Sequence, residues 1–398
     1  MRRPLHLDAI ATTPLATSVR EAMLPFLEGL TGHPGGVHSS ANRLDEAKEN
    51  ARQLIRAFSG ATESGRVIFT GSGTEAVNLA VMGWARARAK PAHIVSTLIE
   101  HPALDGALAR LRKEGHRITF IPVDANGFPL LEELERCVRK QPIDLLATHL
   151  AHYEIGTRQN VIELGKFCRR TGARFFLDAT HGMAWNPLSM ADHGVDLLAF
   201  SPHRFFGPAG VGVLVAATGI PLAPLYDGGM QEEGLRPGTG SVPLIVGAGA
   251  ACDLAMREAP TWQETTQKYQ HQFKEILSST LEEIRWGGPE PGLQRDPHHL
   301  QLSVGYVESE AVALFADLRG VQFTSGTGCL RPEEKGSRTL RVLGMEPEFR
   351  TGNLIFGLLP DLTDQDVEDA AGVVVQAVQR VRSMSPGWME RANRSAGA

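Results

Sequence analysis

Several short stretches carry side chains whose type and setting suit chemistry. Residues 67–80 read VIFTGSGTEAVNLA, an apolar run, a Gly-Ser-Gly-Thr loop and the start of a helix. Backbone N–H groups at a helix N-terminus cradle anions, and small residues let a phosphate approach, so Gly73 and Thr74 are candidates for holding one. The same pattern also describes an ordinary capped helix. Asp178 closes the apolar run RFFLD (174–178). A carboxylate buried there needs a cationic partner such as a protonated ring nitrogen, unless it caps the next helix. His101, in IEHPA (99–103), sits between a strand and a helix, where its ring can stack on a planar ligand or act as a cap. Residues 196–216, DLLAFSPHRFFGPAGVGVLVA, set Ser201, His203 and Arg204 in a turn between two strands. Cys329 lies in TSGTGCLRP, a small-residue loop ill-suited to burying a thiol. Such an exposed thiol is able to carry a persulfide or ligate an iron–sulfur cluster, or is simply a leftover thiol. Cys137, Cys168 and Cys252 lie in helical or apolar runs and read as buried small hydrophobes.

The elements that must position these groups alternate. Strand candidates fall at 66–70, 92–97, 117–123, 144–150, 174–179, 196–201 and 211–216, with helix-like stretches between several of them. That rhythm predicts an α/β fold, a mostly parallel sheet flanked by helices, with ligands beyond the strands' carboxyl ends. After about residue 255 the pattern changes to a long polar helix (260–284), strands at 301–307 and 353–359, and helices at 310–320 and 364–383. We expect a large domain over 15–255, a smaller α+β domain from 1–14 and 256–383, and a flexible tail over 384–398.

Composition narrows the partners. Lys plus Arg number 40 and Asp plus Glu 45, giving a net charge of −5. This mildly acidic balance predicts neither nucleic acid nor a membrane surface as partner. No apolar run is long enough to cross a bilayer, and no signal peptide is legible at the start. A cytoplasmic location is expected. No HxH or HxxxH pair occurs, so no metal site is expected, although histidines 33, 38, 101, 152, 181 and 203 are placed where they can converge. His298 and His299 fall in a polar stretch and read as solvated.

The turn at 201–210, SPHRFFGPAG, resembles the Schiff-base segment of the cysteine desulfurase branch of the class V aminotransferases, where Ser-x-His-Lys precedes Gly-Pro-x-Gly. LDAIATTP (7–14), GSGTE (71–75), EHP (100–102), DAT (178–180), GGMQEEGLRPGT (228–239) and TSGTGC (324–329) are similar to further motifs of that family, in the family's order. The resemblance implies the fold type I of enzymes dependent on pyridoxal 5'-phosphate (PLP). It implies a phosphate loop at Gly73 and Thr74, a ring-stacking His101 and a ring-nitrogen partner Asp178. Ser201, His203 and His181 would be further cofactor contacts, and Cys329 the sulfur-accepting cysteine. It also implies a homodimer in which Thr239 reaches the partner's PLP phosphate.

The departures fall on functional groups. Arg204 stands at the position of the Schiff-base lysine. A nucleophilic amine must be neutral, and a guanidinium is neutral in only about one molecule per million at pH 7. Ile355, in GNLIFGLL (352–359), stands where the family has its substrate-carboxylate arginine. Loss of such a clamp costs about 2–5 kcal/mol. The family's Asn-Asn-Glu-x-Gly reads His152-Tyr153-Glu154-Ile155-Gly156, its Gln after Asp-Ala-x is His181, and its Asn-Pro is His33-Pro34. PLP, if bound, would be held non-covalently. The expectation is a desulfurase-like homologue in sulfur mobilisation or iron–sulfur assembly, acting with an active paralogue or a scaffold protein. The alternative is an active desulfurase with loose PLP and Cys329 as carrier. A third reading is a plain pseudoenzyme whose pocket takes another anion.

Overall fold

The computed structural model describes residues 4–29, 32–292, 294–326 and 336–396. A seven-stranded sheet forms from β1 Arg66–Thr70, β2 His93–Thr97, β3 Arg117–Ile121, β4 Leu145–His149, β5 Arg174–Asp178, β6 Leu197–Phe200 and β7 Gly212–Ala216. The strands lie in the order β1-β7-β6-β5-β4-β2-β3. Only β7 runs against the rest. Each strand lies within the run that the sequence marks, because helices cover both faces and every position must be apolar. Val67, Val95, Phe175, Leu198 and Val213 enter the core on one face, and Ile68, Ile94, Phe176, Leu197 and Leu214 the core on the other.

A second core surrounds a four-stranded antiparallel sheet of Ile284–Trp286, His299–Val304, Thr324–Ser325 and Asn353–Gly357. Helices Ser309–Asp317 and Asp364–Arg382 pack against it. One helix, Val242–Thr280, serves both cores. Ala251, Cys252 and Trp262 belong to the first, and Tyr269, Phe273 and Leu277 to the second. The expected boundary at 255/256 therefore falls inside a single helix, and packing passes from one core to the other between Trp262 and Tyr269. Pro260, which marked the start of a separate helix in the sequence, lies within it.

Two stretches differ in form from what the sequence suggests. The stretch 384–398, expected to be a flexible tail, contains the helix Pro386–Ala396. The ring of Trp388 anchors it, 4.0 Å from the Arg382 guanidinium and 5.8 Å from the Tyr306 ring. Cys137 is only half-buried, at the margin of the first core, whereas Cys168 and Cys252 are buried as expected.

Candidate functional site

The carboxyl ends of β2, β4, β5 and β6 meet at one rim of the sheet. Asp178 ends β5, is 4% exposed, and its Oδ1 accepts the Thr180 N–H at 3.0 Å. Ser201 follows β6, is buried, and donates to the Val211 carbonyl at 3.2 Å. Gly73 lies against this pair. A Cβ there would come within 3.2 Å of the Thr180 side chain and 3.3 Å of the Ser201 Cβ, so glycine is what lets the loop close over the rim. Gly212 of β7 is tighter still, since its Cβ would meet the Ser72 carbonyl oxygen at 2.1 Å. Ser72 caps the helix by accepting the Glu75 N–H at 3.1 Å. Cap and cradle are thus one structure, and Thr74 is exposed at its mouth.

His101 caps the helix Pro102–Lys113 by accepting the Ala103 N–H at Nδ1, 3.1 Å away. Its ring lies 5.2 Å from Tyr153, edge-on, and 6.2 Å from His181. Burial lowers the His101 pKa, partly offset by Asp178 and reinforced by Arg204. His181 is pushed well below its ordinary value by burial and then by Arg204. His203 falls to about 4, again from burial and Arg204. Among the described residues, Arg204 is therefore the permanent cation that acts on all three rings. Its guanidinium donates to the Ile10 carbonyl. The same segment is tied down by Thr13 N–H to the His203 carbonyl at 2.8 Å and by the His203 ring to Thr12 Oγ1 at 3.1 Å.

Beneath this layer lies a network in which the sequence reading named His152 and its neighbours but assigned no role to Glu100, His149 or Gln159. Glu100 is buried and accepts from Thr97 at 2.7 Å, Thr148 at 2.9 Å and His149 Nδ1 at 2.8 Å. Gln159 donates to His149 Nε2 at 2.9 Å. Polar residues at the carboxyl ends of neighbouring strands were the available signal. His152 donates from Nε2 to the Ile99 carbonyl at 2.7 Å and accepts two backbone N–H groups at Nδ1. Burial holds it well below its ordinary pKa, and Tyr153 stacks on it at 4.8 Å. Glu154 is buried against the smaller domain, where Asn353 donates to it at 2.6 Å, and burial raises its pKa. Thr180 was also missed. Its buried Oγ1 has no hydrogen-bond partner among the described residues.

The predicted residues do not all converge. Gly73, His101, Asp178, His181, Ser201 and Arg204 form one cluster. Thr239 is exposed and lies 3.3 Å from the His33 ring nitrogen, outside that cluster. His38 caps a helix by accepting the Ala41 N–H. Cys329 lies outside the described residues. Ile355 is buried, in register with Gln301 and Thr324. His298 and His299 are not solvated: His298 stacks on Trp185 at 4.2 Å and His299 bonds the Tyr153 carbonyl at 3.0 Å, both buried. Among the described residues there is no group of three or more metal-ligating side chains, and no helix is long and apolar enough to cross a membrane.

Asp178 and the Gly73 loop suit a planar, phosphate-bearing cofactor with a basic ring nitrogen. The unmatched Thr180 hydroxyl and the space kept by Gly73 fit such a group at the rim. Arg204, the cation of this cluster, is a guanidinium and not the neutral amine that a covalent tether requires. This fold matches that of a solved NifS-like protein with a TM-score of 0.86 and 25% identity, covering 94% of this chain and 99% of that one. A structure titled SspA in complex with cysteine matches with a TM-score of 0.77 and 26% identity, over 89% and 99% of the two chains. The chain belongs to the class V aminotransferase family, whose description, Aminotransferase class-V, matches residues 5–367. The cysteine desulfurase IscS of Dictyoglomus turgidum is 34% identical over 387 residues, 97% of each chain. The human cysteine desulfurase is 33% identical over 396 residues, 97% of this chain and 84% of that one.

Proposed function

We propose that this protein is a desulfurase-like homologue that serves sulfur mobilisation without the covalent chemistry of the family. The likeness to cysteine desulfurases over nearly the whole chain supports the sulfur role. The observation that carries the rest is Arg204. By the motif resemblance it falls at the tether position, and in the structure it donates to the Ile10 carbonyl and presents a fixed charge to His101 and His181. PLP would be held non-covalently, by Gly73 and Thr74 at its phosphate and Asp178 at its ring nitrogen, with Thr180 and Ser201 beside them. When bound, PLP supplies an electron sink. The chain's own groups bind and orient it, but none offers an amine at the tether position. By the same resemblance, Ile355, which is buried, falls where the family has its substrate-carboxylate arginine.

The working unit is a homodimer or a mixed assembly with an active paralogue or an iron–sulfur scaffold protein. Thr239, exposed on a single chain, is available to a second subunit's phosphate site. The test is sulfide release from cysteine with PLP present. We expect a rate no higher than that of free PLP alone. Turnover well above it would overturn the reading in favour of an active enzyme with loosely held PLP and Cys329 as carrier.

A further inference from the structure

Away from the Asp178–Arg204 cluster, a cavity of about 610 Å³ opens between the turn at 124–131, the start of helix Val161–Thr171 and the segment 187–193. Phe128, Leu150 and Leu188 give it an apolar wall. Arg158 also lines it, and among the described residues its guanidinium makes no hydrogen bond or ion pair. Burial lowers the Arg158 pKa, and the charge of Asp296 partly offsets it. Arg158 therefore presents to the cavity a guanidinium that is free of hydrogen bonds from the described residues.

Acceptors lie on the same cavity. Asp124 and Glu163 are lining carboxylates. Each uses one oxygen locally, Asp124 for the Asn126 and Phe128 N–H groups and Glu163 for the Asn160 amide. Gln159 borders the cavity but is 3% exposed, with its Oε1 buried and unpartnered among the described residues. Two carboxylates argue against a simple anion, and Arg158 argues against a simple cation. One ligand class satisfies both signs and the apolar wall.

We propose that this cavity binds a free α-amino acid with an apolar side chain. The carboxylate pairs with Arg158, a site suited to bidentate contact. The ammonium faces Asp124 and Glu163, and the side chain packs on Phe128, Leu150 and Leu188. Gln159 also donates to His149, which bonds Glu100 beside His101, so the cavity abuts the network under the cofactor cluster.

Calorimetric titration of the intact protein with L-leucine tests this. Saturable binding is expected, about ten- to hundred-fold weaker for leucinamide, which lacks the carboxylate, and for 4-methylpentanoate, which lacks the ammonium. Arg158→Gln is expected to weaken L-leucine by a similar factor. Ile162→Trp, at a half-exposed lining position, is expected to block it while leaving the melting temperature unchanged. Arg204→Lys is expected to leave it untouched, which separates this site from the proposed function. Absence of saturation, equal binding of all three compounds, or unchanged binding in Arg158→Gln would overturn the proposal.

Discussion

His299 predicts a specific loss of stability in mild acid. It is 2% exposed, its Nε2–H donates to the Tyr153 carbonyl, and its buried Nδ1 has no hydrogen-bond partner among the described residues. Burial brings its pKa to about 3. In the unfolded chain a histidine titrates near ~6.5. The folded value is the lower one, so the unfolded state takes up the proton first. The stabilising difference is complete above ~6.5 and is lost as pH falls toward the folded value. Between ~6.5 and ~5 the loss is about 2 kcal/mol for this one residue, at ~1.4 kcal/mol per pH unit. The perturbation is His299→Gln, and the assay is the urea midpoint of variant and wild type at neutral pH and near ~5, at fixed protein concentration. The variant will start less stable, but its deficit should shrink by about 2 kcal/mol across that range. Glu154, whose raised pKa acts in the opposite sense, is common to both proteins and drops out of the difference. Parallel pH dependence in the two proteins would refute the reasoning.

Other predictions follow from the same packing. Gly212→Ala drives a Cβ into the Ser72 carbonyl and should cost about 1–3 kcal/mol or more, read as a lower melting temperature together with weaker PLP binding. Glu154→Gln keeps the shape of the buried carboxyl without its charge. Because the folded pKa is the raised one, the wild type loses stability as pH rises, so the variant's relative stability should climb with pH, measured by thermal melts. Cys168 is buried with its pKa raised to about 12, and Cys252 is raised well above the usual thiol value, both by burial. Neither thiol should react with an aromatic disulfide reagent in the native protein, so serine substitution at either should leave the fast-reacting count unchanged.

The large sheet was legible because two-sided burial writes continuous apolar runs into β1 through β7. The loop at Gly73, the rim aspartate and His101 were picked out through the family resemblance, since each pattern alone also describes an ordinary cap, which His101 does form. Features that depend on distant partners were not legible. His298 and His299 look solvated in a polar stretch, yet Trp185 and the Tyr153 carbonyl, far away in sequence, make them core residues. The helix at 386–396 owes its place to Trp388 meeting Arg382 and Tyr306. Thr180 and the Glu100 network become visible only when adjacent strands bring their ends together.

The role of Arg204 decides the account, and borohydride reduction of the PLP-loaded protein followed by intact mass measurement tests it directly. The account predicts an unmodified mass for the wild type and a single pyridoxyl adduct for Arg204→Lys, where a neutral amine is restored at the rim. A pyridoxyl adduct on the wild type, on whatever side chain, would contradict it.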